Sequence, residues 1–118
     1  MAHRIEKINE LIKDELSSAI RFSLKDPRLE NKIVGISRTK TTPDMKYCQV
    51  YVSIYADRDE AERIMEVLEG AKGFLRKKVA EALTTRYSPQ LIFIYDDSYE
   101  NYEHIEKLLR EIKNDEKN

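Results

Sequence analysis

Glu69-Gly70-Ala71-Lys72-Gly73-Phe74-Leu75-Arg76-Lys77-Lys78 places two glycines, three residues apart, where one helical pattern ends and another begins. Ahead of it, from about Asp59, Ala61, Ile64, Met65 and Leu68 recur at helical spacing. Behind it, Leu75, Val79, Ala82 and Leu83 do the same as far as about Arg86, before Ser88-Pro89 interrupts. Such spacing gathers each set on one helix face. Glycine costs a helix about 1 kcal/mol relative to alanine, so two of them loosen or kink the chain here. The expectation is helix, kink, helix, with the second helix basic.

Outward from the kink the pattern changes period. Between Ile33 and Thr41 the residues are β-branched (Ile33, Val34, Ile36, Thr39, Thr41), and Tyr47–Tyr55 alternates strictly. Alternation puts Cys48, Val50, Val52 and Ile54 on one face, and Tyr47, Gln49, Tyr51, Ser53 and Tyr55 on the other. Thr42-Pro43-Asp44-Met45 reads as the turn of an antiparallel hairpin. The chain opens with an amphipathic series, Ile5, Ile8, Ile12, Leu16, Ala19 and Ile20, which must stop before Asp26-Pro27 because proline disfavours helix in the residue before it. After the kinked helices, Leu91-Ile92-Phe93-Ile94-Tyr95 is an apolar run of the kind found in a buried strand. A last amphipathic segment carries Tyr102, Ile105, Leu108, Leu109 and Ile112 and fades into polar residues. The expected fold class is α+β, with one domain over residues 1–112 and a frayed polar tail at 113–118.

Size and composition narrow the possibilities. The chain has 118 residues, 41% of them hydrophobic, enough for one core. No stretch approaches a membrane span and Met1–Lys7 lacks the apolar run of a secretory signal, so a cytoplasmic, soluble protein is expected. Cys48 is the only cysteine, which excludes an intrachain disulfide and a thiolate cage. The net charge of −1 is segregated: residues 1–40 carry nine Lys/Arg against six Asp/Glu, and residues 71–91 carry five against one. Residues 41–70 and 92–118 are each acidic by four charges. A basic face beside an acidic one suits docking on a polyanion, although solvated helix surface has the same composition.

Catalytic chemistry is poorly supplied. His3 and His104 lie near opposite ends, and Cys48, alternating with valines, reads as a small buried hydrophobe. Asp57/Asp59 and Asp96/Asp97 could hold magnesium or act as acid and base, but each pair flanks a helix start, where carboxylates cap free N–H groups. No catalytic residue, metal site or cofactor is expected.

Four segments taken together carry a specific resemblance: Asp26-Pro27-Arg28-Leu29, Val50-Tyr51-Val52-Ser53, Ala71-Lys72-Gly73-Phe74-Leu75-Arg76, and Pro89-Gln90-Leu91-Ile92-Phe93-Ile94-Tyr95-Asp96-Asp97-Ser98. In this order and spacing, from Arg4 to about Leu109, the chain resembles the ribosome-binding factor A family. The resemblance implies a type II KH-like fold, ordered α-β-β-α-kink-α-β with a C-terminal helix, in which Ala71 and Gly73 form the kink that replaces the Gly-x-x-Gly loop of other KH domains. The literal Gly70-x-x-Gly73 is then incidental. The short charged C-terminus departs from relatives with a longer tail. The family further implies a monomer that binds free 30S subunits and 16S rRNA and aids late rRNA maturation. Arg4, Arg28, Arg38, Lys40, Lys72, Gly73, Arg76, Lys77, Lys78 and Arg86 are the candidate RNA contacts, with Gly70, Ala71 and Gly73 as the structural kink. Three other readings stand beside this one: a generic KH module for single-stranded RNA, a metal-dependent enzyme using the acidic pairs, and an adaptor binding protein through Tyr47, Tyr51 and Tyr55.

Overall fold

Hairpin, kinked helices and final strand assemble as α1 (Ala2–Ser18), β1 (Ile33–Thr41), β2 (Tyr47–Tyr55), α2 (Arg58–Gly70), α3 (Lys72–Leu83), β3 (Gln90–Tyr95) and α4 (Tyr99–Lys117). This computed structural model describes residues 2–84, 88–97 and 99–117, with the side chains of all of these except residues 2, 3, 99–102, 104 and 115–117. The order is that of an α+β, KH-like domain, and α4 continues to Lys117, past the expected end of the folded region at Ile112.

The sheet runs β1-β2-β3, with β2 antiparallel to β1 and parallel to β3. Its inner face carries Val34 and Ile36, then Val50, Val52 and Ile54, then Leu91 and Phe93, packed against Ile12, Leu16, Ile64, Leu68, Leu75 and Val79 of the helices. Leu68, Leu75 and Val79 are fully buried and hold the two kinked helices to the sheet, and truncating either leucine to alanine costs about 2–5 kcal/mol. Val67, outside the expected stripe, is buried as well.

The last strand differs from expectation. β3 is an edge strand, and its apolar run is buried on one face only: Leu91 and Phe93 point inward, whereas Ile92 on the other face is 41% exposed. An unbroken apolar run looks the same whether a strand is covered on both faces or on one.

Two irregularities shape the surfaces. The register of β1 against β2 shifts between Ile36 and Arg38, with Ser37 as the extra residue. Without that bulge, alternation would aim Arg38 and Lys40 into the core; with it, Thr39 and Thr41 turn inward and the two cations turn out. Ser37 donates its hydroxyl to Asp96 Oδ2 at the end of β3, so that carboxylate engages the bulge. The second irregularity ends the first helix, where residues Ala19–Ser23 form a π-turn closed by the Leu24 N–H on the Ala19 carbonyl at 2.8 Å.

Helix α1 packs on the inner face beside β1 and α3 and reaches the outer edge of β1 through Asn9. Asn9 Oδ1 accepts the Thr41 N–H at 2.9 Å, and the Asn9 carbonyl accepts the Thr39 hydroxyl at 2.6 Å. Helix α4 packs against β1 and β2 at the far end of the other face, where Gly35 and Ser53 are buried; Leu108 lines one cavity with Gly35, and Ile105 lines another with Tyr55. Ser53, on the tyrosine face, is consequently fully buried. Tyr102, assigned to the apolar face of this helix, lies outside the described side chains.

Candidate nucleic-acid interface

The kink sits at Ala71, whose φ of −94° and ψ of 7° leave helical geometry for one residue. Its N–H reaches both Val67 and Leu68 carbonyls, at 3.0 and 3.2 Å, and its own carbonyl accepts Leu75 N–H at 3.0 Å to start α3. Neither glycine has a positive φ, and a Cβ added at Gly70 or Gly73 would meet nothing within 4 Å. The fold itself therefore does not demand glycine at these positions; their bare backbone leaves room for a partner to approach closely. No side chain caps the start of α3, whose dipole favours an anion there.

The four cations of this region have different surroundings. Lys72 pairs with Glu69 at 2.8 Å and lies over the Phe93 ring, its ammonium 5.7 Å from the centroid. Arg76 is half-buried, with Nη2 donating to the Ser88 carbonyl at 3.1 Å and Nε buried without a partner. Lys77 is exposed, and Lys78 reaches over the exposed Phe74 at 5.6 Å. Neither Lys77 nor Lys78 joins an ion pair among the described residues. The helix thus presents two cations outside ion pairs rather than four, Lys77 without a ring contact and Lys78 against the exposed Phe74.

The remaining candidates are dispersed. Arg38 stacks on Tyr51, 4.0 Å from the ring centroid, and Lys40 is exposed on the same sheet face. Arg4 is exposed on α1. Arg28 is forked onto Asp26, Nε to Oδ1 at 3.0 Å and Nη2 to Oδ2 at 2.7 Å, which holds the Asp26 carboxyl down to about 2. Arg86 lies outside the described residues. The helical stripe Leu75, Val79, Ala82 and Leu83 already sets Arg76 at its border and Lys77 and Lys78 toward solvent; what the sequence did not supply is the partner of Arg76, Ser88, twelve residues away.

The acidic pairs part company: the first serves its own helix start, and the second reaches a residue 59 positions away. Asp57 caps α2 by accepting the Glu60 N–H at 2.9 Å, and Asp96 accepts from Ser37. Burial pushes the Cys48 thiol up, away from the thiolate a nucleophile needs. No group of three His, Cys, Asp or Glu placed to hold a metal occurs among the described residues. No described helix is long and apolar enough to cross a membrane.

A three-stranded sheet backed by two helices that meet at a basic kink defines the KH-like class of nucleic-acid-binding domains. The chain belongs to the ribosome-binding factor A family, whose model matches residues 4–109. It is 40% identical over 114 residues to ribosome-binding factor A of Clostridium tetani, covering 97% of this chain and 93% of that one. The solution NMR structure of a Thermotoga maritima protein superposes with a TM-score of 0.72 at 31% identity, over 84% of this chain and 93% of that one. A homology model of Thermus thermophilus ribosome binding factor A, as fitted into the cryo-EM map of its complex with 30S, matches with a TM-score of 0.58 at 26% identity, over 73% and 88% of the two chains.

Proposed function

We propose that this chain binds the free small ribosomal subunit through 16S rRNA, in the cytoplasm and as a monomer before docking, and that it aids late rRNA maturation without catalysing a reaction. Family membership over residues 4–109 carries the reading, and Lys77 and Lys78, in no ion pair among the described residues and on a helix opening at a bare kink, give it a physical contact. Arg4, Arg38, Lys40, Lys72 and Gly73 extend that contact, whereas Arg28 and Arg76 act mainly through their intramolecular partners. The mechanism is selective binding. A protein that prefers one rRNA conformation shifts the population toward it by its difference in affinity, and no reactive group is required.

Sedimentation with purified small subunits, large subunits and joined ribosomes tests this. Association with free small subunits and little with joined ribosomes is expected; equal association with both refutes the assembly reading. The generic single-strand module is favoured by the open Gly70 and Gly73, and it requires that short unstructured RNA displace the protein from the subunit.

A further inference from the structure

The face of the sheet opposite the kinked helices is only partly covered. Helix α4 occupies its Gly35–Ser53 end, and among the described residues the other half is exposed at Arg38, Lys40, Tyr47, Gln90 and Ile92. Three aligned rows fill that half: Arg38 opposite Tyr51 and Ile94, Lys40 opposite Gln49 and Ile92, and Tyr47 beside Gln90. Tyr47 is 44% exposed and Ile92 41%. None of these eight outward positions is acidic, in a chain whose acidic residues outnumber the basic ones.

We infer that this open half-sheet is a second RNA-contacting surface, one that takes an unpaired stretch of RNA by stacking. The inference rests on the proposed reading of the chain as an rRNA binder and adds a site to it. The guanidinium over Tyr51 forms a flat cationic platform on which a base can stack, while Tyr47 offers a second ring. These two lie four residues apart on β2, roughly 13 Å at about 3.3 Å per residue. Lys40, in the row between them, stands where the phosphates joining two stacked bases would run. The bulge at Ser37 is what delivers both cations to this face, and it costs β1 one unpaired residue. Charge complementarity and the aromatic spacing favour RNA over a protein partner, which would meet an unpaired basic surface. Because the kinked helices lie across the sheet from it, RNA touching both sites must pass around an edge of the domain.

Three measurements test the site. Wild-type protein and the variants Lys40→Glu and Tyr47→Ala are titrated into purified small subunits and, separately, into an unstructured twelve-nucleotide oligoadenylate. Each folded variant is expected to lose about fivefold or more in affinity for both probes. Unchanged affinities overturn the inference. In the third, Ile92 is exchanged for a benzophenone-bearing phenylalanine and the full chain is irradiated on the subunit. Crosslinks to rRNA support the site; crosslinks confined to ribosomal protein overturn it in favour of a protein contact. Wild-type protein that fails to bind subunits refutes the proposed function, whereas wild-type that binds while both variants match it refutes this surface alone.

Discussion

Arg76 donates to the carbonyl of Ser88 at 3.1 Å, tying the second turn of α3 to the segment that leads into β3. A guanidinium in the middle of a basic patch thus serves the fold. Arg76→Ala removes a charged hydrogen bond and the packing of the side-chain stem, and we expect it to destabilise the domain by about 1–3 kcal/mol in urea unfolding. Among molecules that remain folded, subunit affinity should fall less than in Lys77→Glu.

Lys77 and Lys78 should behave the opposite way. Lys77 is exposed and Lys78 half-buried, and neither joins an ion pair among the described residues, so the double change Lys77→Glu, Lys78→Glu should alter the melting temperature little. If each neutralises one phosphate, removing both flattens the plot of log affinity against log salt by about 1.4–1.8. Subunit affinity should drop at least about tenfold, and an unchanged slope would remove α3 from the rRNA interface. Glu103 and Glu106 on α4, changed to Gln, should leave binding nearly intact.

The Asp26 and Arg28 pair sets an acid limit on the turn after the first helix. The Arg28 side chain, then its N–H, lowers the Asp26 carboxyl from 3.8 to about 2, so the pair's contribution is complete above pH 4 and disappears as pH falls through about 2. Carboxyl NMR should show Asp26 titrating near 2. In Arg28→Ala the midpoint should rise toward the ordinary aspartate value.

Thr84 ends α3 with a φ of 53° and ψ of 38°, left-handed geometry that a β-branched residue adopts at a cost. Thr84→Gly relieves it, and a gain of about 1 kcal/mol is expected from thermal unfolding. Thr84→Val should lose stability, since it keeps the branch and removes the hydroxyl that donates to the Leu83 carbonyl.

The hairpin was legible to the residue, because strict alternation over Tyr47–Tyr55 and a Pro-Asp turn are local signals. So was the kink, where glycine punctuates two helical stripes. The bulge had a signal as well: the inward positions step from Ile36 to Thr39, three residues rather than two. The edge position of β3 was not legible, since it follows from which strand the chain crosses over to join. The same holds for Arg76 and Lys72, whose charges were visible and whose partners, Ser88 and Phe93, are brought near only by the fold. Val67 escaped because it sits beside the apolar stripe of α2 rather than in it.

The bonds from Asn9 to Thr39 and Thr41 have a consequence for the chain in crowded solution. They occupy one border of the sheet at Thr39 and Thr41, while β3 forms the other border with no further strand beyond it among the described residues. A sheet that can recruit neighbours on both sides polymerises; one that can recruit on a single side stops after a pair. Asn9, bonded to the residues on either side of Lys40, thereby blocks strand addition along that stretch of the β1 edge.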